Sequence, residues 1–130
     1  MDAKDTDDDG INDLSRVVIG CALAVAATLG SGFVEKVYEN ALAYELGKRG
    51  LGVVQQSPVV VRYEGVVVGS YSSDLLVDGV VLVEIKAVVS LNTVHRAQCL
   101  NYLKATGLRL CLLLNFGPPR LEIKRIVRGL

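Results

Sequence analysis

Two apolar runs separated by a helical segment constrain the fold of this chain more than any other feature. Residues 80–88 (VVLVEIKAV) and 108–115 (LRLCLLLN) are apolar at most positions, which is typical of strands covered on both faces. The segment 92–106 between them has Asn92 as a possible N-cap and is followed by Gly107, so it is predicted to be a helix. A strand, a helix and a second strand in this order predict a parallel pair joined by a right-handed crossover.

Two further helices are predicted before this unit, over residues 12–29 and 33–49, with a break at Gly30-Ser31-Gly32. Residues 17–34 form a run of 18 residues without a charge. A run of about 18 residues is the shortest that is read as a possible membrane span. Because the glycine cluster ends the helix, we predict a buried helix and no membrane association.

Three more strands complete the predicted sheet. Residues 52–63 and 66–77 are rich in valine, and β-branched runs favour strands. Residues 120–127 alternate as an edge strand would. The order ααβββ(β)αββ predicts an α/β fold with a mixed sheet of four to six strands, flanked by helices.

Charge is distributed unevenly along the chain. The formal net charge is zero, yet residues 1–13 contain six aspartates and one lysine, while residues 14–130 contain 13 basic and eight acidic side chains. A leader of charge −5 therefore precedes a body of charge +5, and a basic body is compatible with an anionic partner. We expect residues 1–11 to be an acidic, partly mobile leader and residues 12–130 to be a single domain.

The leader resembles the first half of a calcium-binding loop, with Asp5, Asp7 and Asp9 as possible ligands. Arg16 stands at the twelfth position, where such a loop needs a bidentate glutamate. We therefore expect the last aspartates of the leader to favour the positive end of the first helix, and calcium binding is the alternative.

The three cysteines, Cys21, Cys99 and Cys111, form no CxxC motif and are odd in number. This pattern supports neither a disulfide framework nor a zinc site. The N-terminus is acidic where a signal peptide would be basic. We expect buried thiols in a reducing cytoplasm.

The residues that suggest chemistry are Asp74, Glu84 and Lys86. Glu84 and Lys86 share a face of one predicted strand, and Asp74 lies on the strand before it. Two carboxylates that converge near a lysine can hold a divalent metal ion. A buried salt bridge between the lysine and a carboxylate explains the same pattern, so both interpretations stay open at this point.

The helix that follows carries a polar stripe of His95, Gln98 and Tyr102. These residues are three and seven positions apart and share a helix face. Such a stripe suits contacts to a phosphate or to a metal-bound water, whereas a merely solvated face is usually filled with lysine and glutamate.

The set Asp74, Glu84-Ile85-Lys86 and Gln98-x-x-x-Tyr102 resembles the PD-(D/E)XK nuclease superfamily, with its restriction-endonuclease-like core. The segment Gly32-x-x-Glu35-x-x-Tyr38 resembles the motif of the GxxExxY proteins, a small bacterial family within that superfamily. In one departure, Ser73 precedes Asp74 where proline is the superfamily's residue.

The resemblance implies a role for each matching residue. Metal binding is implied for Glu35, Asp74, Glu84 and the carbonyl of Ile85. Lys86 corresponds to the lysine that orients the attacking water, and Gln98 and Tyr102, beside His95, correspond to an element that approaches the phosphate. Tyr38 corresponds to a tyrosine that packs behind the metal shell.

The expected function is hydrolysis of phosphodiester bonds in DNA or RNA with Mg²⁺ or Mn²⁺. The alternative is an inactive module of the same fold that binds nucleic acid or a protein partner. Because 130 residues offer little surface for gripping a duplex, we also expect a homodimer.

Overall fold

In the computed structural model, which describes residues 7–130, a mixed sheet separates two helical layers. Its five strands lie side by side in chain order. The predicted α/β class with a mixed sheet flanked by helices is confirmed, and the order is ααβββαββ. The elements are α1 (Asp8–Leu29), α2 (Glu35–Lys48), β1 (Val53–Tyr63), β2 (Val66–Val77), β3 (Val81–Lys86), α3 (Thr93–Thr106), β4 (Leu110–Asn115) and β5 (Glu122–Val127).

The predicted crossover is confirmed at the centre of the sheet. Strands β3 and β4 are parallel, from Val81 opposite Leu110 to Lys86 opposite Asn115, and α3 connects them. All other neighbouring strands are antiparallel. Every residue of β4 is buried, which is why its sequence is apolar without alternation.

Alternate residues of β3 face the two helical layers. Val81, Val83 and Ile85 pack in one apolar cluster with α1 and α2. Leu82 packs in a second cluster, with Cys99 and Leu103 of α3. Because side chains alternate along a strand, Glu84 and Lys86 lie on the α3 side. The three cysteines are buried and free.

Helix α1 begins at Asp8, four residues before the predicted start. Asp7 caps it and accepts a hydrogen bond from the Gly10 N–H at 2.6 Å. Ile11 is buried in the core, so burial of its side chain extends the helix into the acidic segment. Asp8 also pairs with Arg109.

The possible calcium ligands divide between two parts of the chain. Asp5 lies outside the described residues, whereas Asp7 and Asp9 lie at the start of α1. Residues 8–16 are helical, and the acidic first turn of α1 favours the positive end of the helix dipole.

Helix α1 is long and apolar enough to cross a membrane, by length and composition alone. Its inner face nevertheless belongs to the core, with Val18, Cys21, Ala22 and Val25 buried. The helix ends at Gly30, whose φ is 66°, a conformation that glycine adopts readily. The predicted break at the glycine cluster is confirmed, and one face of the helix is buried.

Strands β1 and β2 form a hairpin that extends beyond the sheet. Only Leu75, Leu76 and Val77 of β2 pair with β3, whereas β1 pairs along nearly all of β2. The turn is Glu64-Gly65, with φ angles of 50° and 81°, as a two-residue hairpin turn requires. The part of the hairpin beyond Asp74, residues 57–72, is called the arm below.

Candidate functional site

Asp74 and Glu84 lie where the ladder between β2 and β3 opens. The last backbone pair is Leu75 opposite Val83. Beyond it, the Asp74 N–H donates to Glu84 Oε2 at 2.8 Å, and the Ile85 N–H donates to Asp74 Oδ2 at 2.7 Å. Each carboxylate therefore satisfies a backbone donor of the opposite strand, which brings the two carboxylates together as the sequence predicts.

Glu84 is a buried carboxylate to which no cationic side chain of residues 7–130 is bonded. Its residue is 3% exposed, and its further partner is the Ser73 hydroxyl, which donates to Oε2 at 3.1 Å. Burial, together with the charge of Asp74, raises the pKa of Glu84 to about 7. Ser73, at the position that departs from the superfamily pattern, thus helps to hold Glu84.

Lys86 does not pair with Glu84, so the alternative of a simple salt bridge is not what the structure shows. Lys86 Nζ donates to Gln98 Oε1 at 3.2 Å, and Gln98 Nε2 donates to the Tyr102 hydroxyl at 3.2 Å. Lysine, glutamine and tyrosine form one hydrogen-bonded chain from β3 to α3. Burial raises the pKa of Tyr102, and the charge of Glu84 adds to the effect.

Helix α2 brings Glu39, and not Glu35, toward this site. Glu35 begins α2 and is exposed, and no hydrogen bond or ion pair within the described residues joins it to Asp74 or Glu84. Glu39, one turn later, is 3% exposed. Its Oε1 accepts from Gln56 Nε2 at 2.8 Å, and the same amide lies 3.3 Å from Asp74 Oδ1. Lys36 also pairs with Glu39.

Gln56 is a residue that the sequence reasoning missed. It lies within β1 with φ of 53°, which is uncommon for a residue other than glycine. Its neighbours Gln55 and Ser57 pair with Leu75 and Ser73 of β2, so Gln56 stands opposite Asp74. Strained backbone often occurs at functional sites, and the sequence signal was a Gln-Gln pair within a valine-rich strand.

Within residues 7–130, the hydrogen bonds of His95 and Tyr38 go to backbone groups and not to Asp74 or Glu84. His95 Nδ1 accepts from the Asn92 N–H at 3.3 Å as part of the capping box of α3. Tyr38 is fully buried and stacks on Phe116, with ring centroids 4.6 Å apart. Its hydroxyl donates to the Gly30 carbonyl at 2.6 Å, so it fastens the connection between α1 and α2.

A second polar cluster, also missed, holds the segment that follows Lys86. Asn115 is fully buried, and its amide exchanges two hydrogen bonds of 3.0 Å with the backbone of Val88. Glu122 accepts from Asn115 and from the Leu91 N–H, each at 3.1 Å. The signal available in the sequence was a polar Asn at the end of an apolar run.

The residues present fit a divalent cation bound to few protein ligands. Among residues 7–130, no group of three or more His, Cys, Asp or Glu is placed to hold a metal. Mg²⁺, however, keeps several waters and uses one or two carboxylates plus substrate phosphate. Asp74 and Glu84 supply two carboxylates, and the four ion pairs of the described residues include neither. A cation would offset their mutual repulsion.

Two known structures resemble this chain, and of these SSO0001 supports the fold described above. Both match this chain with 19% sequence identity or less. A likeness at this level of identity concerns the fold alone. SSO0001 is 19% identical, with a TM-score of 0.51 over 92% of this chain and 60% of that chain. An alkaline exonuclease from Laribacter hongkongensis is 16% identical, with a TM-score of 0.49 over 89% of this chain and 80% of that chain. The present chain therefore spans less than two thirds of the length of SSO0001.

The family comparison extends over most of the chain. No curated protein matches it, and the narrower resemblance to the GxxExxY proteins is not confirmed. The model of the PD-(D/E)XK nuclease superfamily matches residues 12–126, which include every strand except the last residue of β5, all of α2 and α3, and both carboxylates. The chain belongs to the PD-(D/E)XK nuclease superfamily.

Proposed function

We propose that this protein hydrolyses phosphodiester bonds of DNA or RNA with the aid of Mg²⁺ or Mn²⁺. The observation that supports this most directly is the carboxylate pair of Asp74 and Glu84, which is partly desolvated and forms no ion pair within the described residues. Two neighbouring carboxylates are costly to keep charged in such a place. Membership of the superfamily makes a divalent metal the natural counter-charge.

In this proposal each side chain has a distinct task. Asp74, Glu84 and the Ile85 carbonyl hold the metal, and Glu39 acts through Gln56 to position Asp74. Lys86, which Gln98 holds in place, orients the attacking water and balances negative charge on the phosphate. The bound metal supplies Lewis-acid activation of the phosphate and lowers the pKa of water.

The test is cleavage of labelled single-stranded and double-stranded DNA and RNA in the presence of Mn²⁺. We expect the wild-type protein to cleave at least one substrate and Glu84→Gln to reduce the rate by about 100-fold or more. Loss of a residue that only supports a metal ligand already costs about 10–100-fold in activity, and loss of the ligand itself should cost at least as much. Glu45→Gln is the matched control, since Glu45 pairs with Lys48 near the surface. If Glu84→Gln cleaves as fast as wild type, the proposal is wrong.

The alternative of an inactive binding module is distinguished by metal binding. Calorimetric titration with Mn²⁺ should show binding to the wild-type protein and much weaker binding to Asp74→Asn. A protein that binds oligonucleotides but neither Mn²⁺ nor Mg²⁺ would support the inactive module instead.

We also propose that the chain belongs to the GxxExxY branch of the superfamily. Gly32, Glu35 and Tyr38 supply the motif, and the hydrogen bonds of Tyr38 to Gly30 and Phe33 give its tyrosine a structural reason. These bonds fix the start of α2, the helix that carries Glu39.

A further inference from the structure

A groove of about 790 Å³ runs between α3 and the arm. Gln98 and Tyr102 line it, and these are the residues that continue the hydrogen-bonded chain from Lys86. The carboxylates do not line the groove, so it adjoins the candidate catalytic residues rather than enclosing them. A ligand in this groove would extend away from the site along the arm.

The groove has an apolar and aromatic surface. Val60 and Val61 of the arm line it together with Val94 and Ala97 of α3. Tyr71 is 55% exposed, and its ring centroid lies 5.9 Å from that of Tyr102 with an interplanar angle of 42°. An exposed tyrosine ring beside aliphatic side chains suits the flat face of an unpaired base, since base–aromatic stacking is independent of sequence.

The charged residues that line the groove are both cations. They are Arg62, on β1, and Lys104, on α3. Because they stand on opposite walls, a strand between them would have a cation on either side for its phosphates. The groove is therefore complementary to a polyanion whose bases are free to contact apolar side chains.

We infer that this groove binds single-stranded nucleic acid and leads it to the catalytic site. In a duplex the base faces are stacked inside and the outer surface is made of phosphates, which the apolar walls do not match. In a single strand the bases are available to stack on Tyr71 while phosphates meet Arg62 and Lys104. This inference rests on the proposed function and adds the class of substrate to it.

The test measures binding without cleavage. Fluorescence anisotropy in EDTA, at one fixed salt concentration because such binding depends on salt, compares a labelled strand of about 12 nucleotides with its duplex. We expect the single strand to bind at least tenfold more tightly than the duplex, because one stacked base contributes roughly that much affinity. DNA and RNA strands of the same sequence show which sugar is preferred.

Variants of the groove make the test specific. Tyr71→Ala should weaken single-strand binding by about tenfold, whereas Tyr71→Phe, which keeps the ring, should bind within about twofold of wild type. Arg62→Gln should weaken binding. It should also reduce the slope of log affinity against log salt concentration by about one, because one contact to a phosphate is lost. Tyr44→Ala is the matched control, because Tyr44 is an exposed tyrosine on α2. Tyr71→Thr, which suits a strand, replaces Tyr71→Ala if circular dichroism shows that the alanine variant is unfolded.

The outcomes separate this inference from the proposed function. Equal affinity for strand and duplex, or a folded Tyr71→Ala that binds like wild type, overturns the inference. Hydrolysis of bis(4-nitrophenyl) phosphate by wild type with Mn²⁺ tests the catalytic site alone, because this diester carries no bases. The inference can therefore fail while that hydrolysis is present, and binding can be found while hydrolysis is absent.

Discussion

Buried polar side chains in this molecule are satisfied by specific hydrogen bonds, and each satisfied group positions something else. Glu84 is held by the Asp74 N–H and the Ser73 hydroxyl, and the fully buried Asn115 by the backbone of Val88. No buried side-chain nitrogen or oxygen within residues 7–130 lacks a partner. At the residue scale, the hydrogen bonds of buried polar side chains therefore fix the positions of functional groups. Those of Glu84 hold its carboxylate on the α3 side of the sheet, and those of Asn115 hold the segment after Lys86.

The choice between Glu35 and Glu39 can be tested directly. We expect Glu39→Gln to reduce Mn²⁺-dependent cleavage by about tenfold or more. The change removes the negative charge that holds the Gln56 amide beside Asp74 but keeps an oxygen that can accept hydrogen bonds. Glu35→Gln should reduce it less. Cleavage rates at saturating Mn²⁺ measure the difference, and a larger loss for Glu35→Gln would show that the motif glutamate carries the role.

Glu122 predicts a pH-dependent contribution to stability. Hydrogen bonding by Asn115 lowers the pKa of Glu122, and the Leu91 N–H and the charges of Lys124 and His95 act in the same direction. A lowered carboxyl pKa in the folded state adds stability above the unfolded pKa, and this is lost as the pH falls through the folded pKa.

We therefore expect wild type to be more stable than Glu122→Gln at pH 7. The difference should shrink below the ordinary glutamate pKa of 4.5. Urea unfolding of both proteins from neutral to acidic pH measures it, and a difference that is independent of pH would contradict the assignment.

At the element scale, the carboxyl ends of the parallel strands β3 and β4 are joined by backbone contacts that leave no space for side chains. The Phe116 N–H donates to the Lys86 carbonyl at 2.8 Å, which continues the ladder past the last residue of β3. A Cβ atom at Gly117 would collide with the carbonyl of Val88. The segment after Lys86 is thus packed against the segment after β4, which keeps the end of β3 in place.

Gly117→Ala should therefore destabilise the fold, by roughly 1–3 kcal/mol, because backbone must move to accept the methyl group. Gly20→Ala is the matched control: Gly20 lies within α1, and a Cβ there would meet nothing within 4 Å. This change should stabilise the protein by about 0.5–1 kcal/mol. Urea unfolding measures both free energies, and equal effects of the two changes would refute the close approach at Gly117.

At the scale of the whole molecule, the acidic segment is part of the folded unit as far as it is described. Asp7 caps α1, and Asp8 pairs with Arg109 beside the start of β4. The arm exposes three successive valines, Val66, Val67 and Val68, between 52% and 63%. Apolar side chains exposed in a row are unusual on a monomer.

The homodimer expected from the sequence stays a prediction, and the tip of the arm is the surface on which we test it. Light scattering should report twice the chain mass for wild type, and Val67→Asp should lower the mass toward that of one chain because it places a charge within the contact. Arg96→Gln, an exposed change on α3 that also lowers the net charge by one, controls for net charge. A monomeric wild type at high concentration would remove the prediction.

The sequence by itself determined the class of fold, the strand–helix–strand crossover and the pairing of Asp74 with Glu84. These follow from local rules, since the period of apolar residues defines helices and strands and alternation decides which side chains share a strand face. The predicted helix start at residue 12 was wrong by four residues, because burial of Ile11 is a tertiary effect.

The tertiary structure alone decided which residues meet around that pair. It directed Lys86 to Gln98 rather than to Glu84, brought Glu39 and the strained Gln56 toward Asp74, and placed Tyr71 opposite α3. These contacts join residues far apart in the chain, and a single helical turn separates Glu35 from Glu39. No spacing rule resolves that difference, because the packing angle of α2 on the sheet determines which turn of the helix faces the site.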